Sequence, residues 1–94
     1  MAMVTAFVLI DCGQEAIPEV ARQLCDLKGV SEVYSVTGEF DLVAIVRVAE
    51  FDEVAEVIPN GIAKLPGVVT TRTHVAFQAY SRLDLEAMFS IGAD

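Results

Sequence analysis

The chain has no tryptophan, one histidine, two cysteines, three prolines and only six basic residues in a length of 94. Each shortage excludes something. Cys12 and Cys25 fit no CxxC or Cys/His spacing, so no metal site is indicated and both thiols are expected to stay reduced. Cys25, beside Leu24 on a helix, is expected in the core, and Cys12, at the end of a strand, partly exposed. Six basic residues against fourteen acidic ones leave a formal charge of −8. That argues against nucleic-acid or anionic-membrane binding by this chain alone, because phosphate contacts need clustered Lys and Arg. No unbroken apolar run exceeds five residues, the length of Ala6 to Ile10, whereas a membrane span needs roughly 20. No basic segment precedes that run, so no signal peptide is indicated and a cytoplasmic location is expected.

Catalytic patterns are missing too. His74 has no nucleophile or metal-ligand companion, the serines sit in no nucleophile elbow, and the glycines show neither GxGxxG nor P-loop spacing. Asp52, Glu53 and Glu56 read as the solvated side of a helix. No enzyme, metal or cofactor is expected.

What the chain does have is apolar residues, 54% of the total, with a mean hydropathy of +0.53. Residues 1–94 read as one domain with a single modest core, and something beyond that core must absorb the surplus. The sequence also repeats itself 38 positions on. Val4 to Ile10 aligns with Leu42 to Val48, and Val20, Leu24 and Leu27 align with Ile58, Ile62 and Leu65. Gly29-Val30 aligns with Gly67-Val68. Each copy runs strand, amphipathic helix, Gly-Val turn, strand, which makes a βαββαβ chain.

Strands are expected over about residues 3–11, 30–37, 40–48 and 68–80, and helices over about 16–28 and 51–65. Ile17, Val20, Ala21, Leu24 and Leu27 form the buried stripe of the first helix; Phe51, Val54, Ile58, Ile62 and Leu65 form that of the second. Pro59-Asn60-Gly61 should kink or break the second helix. A short helix is expected over 84–89. Right-handed crossovers place strands 1 and 3 adjacent and parallel at the centre, with both helices on one face.

Alternation sorts the central strands into two sets. Val4, Ala6, Val8, Ile10, Leu42, Ala44, Val46 and Val48 should meet the helices. Thr5, Phe7, Leu9, Val43, Ile45 and Arg47 face the other way and are also mainly apolar. A sheet with one wet face should alternate apolar with polar. A second copy packed against the helix-free face resolves the mismatch and predicts a two-fold dimer.

The Gly38 to Asp41 hairpin carries the remaining chemistry. Glycine lets successive backbone N–H groups point outward toward a carboxylate, and Asp41 can accept hydrogen bonds from an ammonium. Those are the charged ends of a free amino acid. The same residues also suit a plain turn.

Val36-Thr37-Gly38-Glu39-Phe40-Asp41-Leu42-Val43, Leu65-Pro66-Gly67-Val68 and Thr71-Arg72-Thr73, in that order, resemble the effector (RAM) domain of the Lrp/AsnC transcription regulators. The resemblance implies a ferredoxin-like α+β fold, a four-stranded antiparallel sheet with two helices on one face, in a dimeric α+β barrel-type assembly. It implies rings of dimers, often octameric, that bind amino acids in clefts between dimers. By position the effector-binding residues would be Gly38, Glu39, Phe40 and Asp41, with Thr71 and Thr73 more peripheral. Full-length members carry an N-terminal helix-turn-helix domain, and this sequence begins at strand 1. The expectation is a stand-alone effector domain that acts without direct nucleic-acid binding; mixed assembly with a full-length regulator is an option beside self-assembly. Two alternatives share the topology: a dimeric α+β barrel enzyme of the small monooxygenase type, and a detached ACT-like allosteric domain.

Overall fold

Strict alternation in the two long apolar runs sends every second side chain to the same side of a sheet, and the chain folds on that pattern. The computed structural model describes residues 3–82. β1 (Val4–Cys12) passes through a 3-10 turn, Gln14–Ala16, into α1 (Ile17–Cys25). β2 (Val30–Ser35) and β3 (Leu42–Val48) follow as a hairpin. α2 (Phe51–Asn60), a second 3-10 turn at Ile62–Lys64, and β4 (Val68–Val75) complete the order. The helix expected over 84–89 lies outside the described residues.

The strands form one sheet in the order β2-β3-β1-β4, and every neighbouring pair is antiparallel. This is the ferredoxin-like α+β arrangement, with one correction. β1 and β3 are central neighbours as expected, but they run antiparallel, not parallel. α1 carries the chain back so that β2 points the same way as β1, one strand-width away. The hairpin then reverses the direction and β3 fills the gap.

The core lies between this sheet and the two helices. Ala6, Val8, Ile10, Leu42, Ala44 and Val46 are all 0% exposed, and Val20, Leu24 and Ile62 close over them at 0%. Full burial of each large member stabilises the fold by roughly 1.5–3 kcal/mol. The face assignment read from alternation is therefore correct. The cysteine assignments are reversed: Cys12 is buried and Cys25 exposed. Cys12 continues the Ala6, Val8, Ile10 parity onto the helix side. Cys25 sits one residue, about 100° of helix, beyond Leu24 and leaves the buried stripe.

Element ends also differ. α1 stops at Cys25, and the turn that follows includes Gly29 at φ 98°. Pro59 lies inside α2, which ends one residue later at Asn60, so the expected break occurs where a backbone donor is missing. Phe51, expected in the buried stripe, is 61% exposed as the first residue of α2. At the start of α2, Glu50 and Glu53 form a reciprocal capping box, with the Glu50 N–H donating to Glu53 Oε2 at 2.9 Å. Gly29 and Gly67, equivalent in the repeat, both have positive φ and leave no room for a side chain. A Cβ on Gly29 would lie 2.7 Å from Val57, and one on Gly67 would lie 3.0 Å from Ala16. The repeat therefore marks two tight helix-to-strand turns. No helix among the described residues is long and apolar enough to cross a membrane.

Candidate functional site

Between β2 and β3 the chain turns through Val36 to Asp41, closed by the Val36 N–H donating to the Asp41 carbonyl at 3.0 Å. Gly38 adopts φ 110°, and nothing stands within 4 Å of where its Cβ would be. Glycine is there for the backbone conformation, not for lack of space, and the loop tip of Gly38 and Glu39 is open to solvent.

Asp41 ties this loop to β1. Its N–H donates to the Ile10 carbonyl at 3.0 Å, and its Oδ2 accepts from the Cys12 N–H at 3.1 Å. The register of β1 against β4 shifts between Asp11 and Cys12. The Asp41 carboxylate thus satisfies a backbone donor at an irregular strand end. Burial, then the nearby Asp41 and Asp11 carboxylates, push the Cys12 thiol up from its ordinary pKa, which keeps it protonated and unreactive.

Phe40 meets the opposite edge of the sheet. The Arg72 guanidinium lies over its ring, 5.5 Å from the centroid, a cation–π contact. Arg72 pairs with Leu9 across the strands and so points to the helix-free side, whereas Thr71 and Thr73 pair with Ile10 and Val8 on the helix side. The sheet plane therefore divides the residues named from sequence. Phe40, Asp41 and Arg72 gather at one end of the sheet beside Asp11, and Thr71 and Thr73 lie behind it. Arg72 falls within the Thr71-Arg72-Thr73 motif but is not among the candidates read from it; its parity with Leu9 is the signal that singles it out.

The helix-free face is lined as expected. Thr5 pairs with Arg47, Phe7 with Ile45, and Leu9 with Val43. Phe7 is 39% exposed, and Leu9, Val43 and Ile45 shield one another to intermediate exposure. Arg47 donates to Glu32 Oε1 at 2.9 Å, and the Tyr34 hydroxyl donates to Glu32 Oε2. The Tyr34 hydrogen bond, then Arg47, hold the Glu32 carboxyl below its ordinary value; the Glu32 carboxylate in turn raises the Tyr34 phenol. His74 is exposed on β4, across from Phe7.

A hollow of about 470 Å³ opens at the far end of the sheet from the hairpin, lined by Lys28, Gly29, Val48, Glu53, Glu56 and Val57 among others. Sequence reading misses it because it forms only where the turn after α1 meets α2. Glu53 there is committed to the cap of α2. Among the described residues no group of three or more His, Cys, Asp or Glu is placed to hold a metal ion.

An antiparallel ferredoxin-like sheet with an uncovered apolar face and a glycine-bearing hairpin at its edge defines a small α+β domain. The sequence matches the Lrp/AsnC ligand binding domain over residues 5–84. The chain belongs to that family. It is 40% identical over 77 residues to an uncharacterized HTH-type transcriptional regulator of Pyrococcus furiosus, covering 78% of this chain and 51% of that protein. It thus spans about half the length of the curated relatives it matches. Among solved structures, TTHA0845 from Thermus thermophilus superposes with a TM-score of 0.79 at 44% identity, covering 84% of this chain and 99% of that one. The feast or famine regulatory protein from M. tuberculosis, solved in complex with L-methionine, superposes with a TM-score of 0.69 at 28% identity, covering 84% of this chain and 54% of that one.

Proposed function

We propose that this chain is a non-catalytic effector-binding and oligomerisation module that takes a free amino acid and works in the cytoplasm. The observation that carries this reading is the family match across residues 5–84. It is supported by a 28% identical regulator that shares this fold and was solved in complex with L-methionine. The relatives are named transcriptional regulators, which points away from an enzyme.

The effector would be held at the hairpin. The outward backbone of Gly38 and Glu39 suits a carboxylate, and Phe40 offers an apolar surface. Asp41 has one oxygen committed to Cys12 and the other left to meet an ammonium. Thr71 and Thr73, on the other side of β4, would take part only where a neighbouring dimer closes over that edge. Two chains would pair through Thr5, Phe7, Leu9, Val43, Ile45 and Arg47, and such dimers would assemble further into a ring or octamer, alone or together with a full-length regulator. A cleft that exists only between dimers gives the effector a higher affinity for the assembled state, which is what shifting an assembly equilibrium requires. The charge of −8 gives this stretch no means of gripping nucleic acid directly.

A thermal-shift screen against the free amino acids tests the reading. A ligand at one hundred times its Kd stabilises the native state by about 2.7 kcal/mol, so at least one amino acid should raise Tm by several degrees. Asp41→Ala should abolish that rise. A flat response to every amino acid sinks the proposal.

A further inference from the structure

The end of the sheet away from the hairpin exposes more apolar surface than the other end. Val4 pairs with Val48 and Ala6 with Val75, so β1 begins there while β3 and β4 finish there. Met3, Phe51, Val75, Phe77 and Tyr80 all stand exposed at or just beyond this end. The hollow of about 470 Å³ opens in the same place, between the turn after α1 and α2. Its size falls within the roughly 300–1,000 Å³ of pockets that enclose a small ligand. Met3, Leu27, Val48 and Val57 give it an apolar lining, and the exposed Lys28 and Glu56 add one charge of each sign. Neither Lys28 nor Glu56 makes an ion pair among the described residues.

The chain carries a segment that suits this hollow. The Ala76 N–H donates to the Thr5 carbonyl at 2.9 Å, so the polypeptide leaves the sheet at the end where the hollow lies. From β4 to β3 is two strand spacings, about 10 Å. Residues 76–82, drawn out, cover about 23 Å, so the chain beyond them is within reach. Its sequence is Leu83-Asp84-Leu85-Glu86-Ala87-Met88-Phe89-Ser90-Ile91. Leu85, Met88 and Phe89 have the i, i+3, i+4 spacing of a single apolar helical face. Asp84 and Glu86 flank that face with negative charge, and Arg82 precedes it with a positive one.

We propose that the segment Leu83 to Ile91 docks in the hollow of its own chain. Leu85, Met88 and Phe89 fill the apolar lining, the acidic residues turn to Lys28, and Arg82 turns to Glu56. A short tether raises the effective concentration of the segment to the millimolar range, which favours it over a free molecule or the same segment of a second copy. Docking removes apolar side chains from water at the one end of the domain where the sheet and helices leave a gap. The effector reading concerns the opposite end of the sheet, so either can fail without the other.

Spin-label broadening in NMR spectra of the full chain tests the docking. Ser90→Cys, next to the apolar face but not part of it, carries the label in a Cys25→Ser background, because Cys25 is exposed and Cys12 buried. In an isotope-labelled chain diluted with unlabelled, unmodified chain, the amide signals of Lys28, Gly29, Glu53 and Val57 should lose most of their intensity. Those of Gly38 and Glu39 should keep theirs. Adding Met88→Ser and Phe89→Ser to the labelled chain should restore the lost signals. Broadening that survives those two substitutions comes from the tether alone and overturns the proposal. Broadening centred on Phe7, Leu9 and Ile45, or spread evenly over the chain, does the same. So does broadening seen only when the spin label sits on a different chain from the isotope, which gives the hollow to a neighbour's segment.

Discussion

The two sides of the sheet are built from the same strands and nearly the same residue types, yet they do different work. On the helix side Ala6, Val8, Ile10, Leu42, Ala44 and Val46 are wholly buried. On the other, one residue along each strand, Phe7 stays 39% exposed and Leu9, Val43 and Ile45 are only half-covered. Apolar character alone does not separate core from surface here. The central strands' helix side carries apolar side chains only and is closed by Val20, Leu24 and Ile62. The free side surrounds its apolar centre with Thr5, Glu32, Tyr34, Arg47, Arg72 and His74, groups a core could not hold but the rim of an interface can.

Breaking the contrast should cost most on the helix side. Ile10→Ala or Leu24→Ala should lower unfolding stability by about 2–5 kcal/mol, because each leaves a cavity in a closed core, as measured by urea denaturation. Phe7→Ala, one face over, should cost far less in a dilute chain. Its loss should appear in the concentration dependence of Tm, which flattens when association is weakened. An equal cost for the two substitutions at every concentration would erase the distinction between the faces.

The turns sharpen it further. Gly67→Ala meets both a φ of 95° and Ala16 at 3.0 Å, so it should destabilise by about 1–3 kcal/mol. Gly38→Ala meets a φ of 110° but empty space, and its cost should stay near the conformational term alone, about 1 kcal/mol. Gly67 answers to the core and Gly38 to the loop. The smallest effect belongs to the rim of the free face. Glu32 has its folded pKa lowered from 4.5, so its contribution is present above that value and lost as pH falls through the lower folded one. Comparing wild type with Glu32→Gln from pH 6 to pH 3 should show the two stabilities converging at the acid end.

Much of this is readable in the sequence because it is local or periodic. Parity alone puts Phe7 and Ile45 on one side and Val8 and Ala44 on the other, and the spacing of the two glycines marks equivalent turns. Errors arise where position depends on partners. Adjacency places Cys25 with Leu24, although a single residue swings a helical side chain by about 100°. Phe51 fits the helical stripe, but as the first residue of α2 it remains exposed. The hairpin is recognisable from its glycine and aspartate. Its two anchors are not, because Asp41 reaches Cys12 across 29 positions and Phe40 meets Arg72 from the far edge strand.

The order of residues by itself determined the four strands and two main helices, the two-sidedness of the central strands and the excess of acidic over basic side chains. Those properties follow from side-chain period and composition, which require no folded neighbour. Only the tertiary structure decided that the central strands run opposite ways, that Asp41 secures an irregular strand end, and that Arg72 stands on the uncovered face away from Thr71 and Thr73. Each of these depends on which backbone lies beside which, and that is settled when helices and sheet close on a common core.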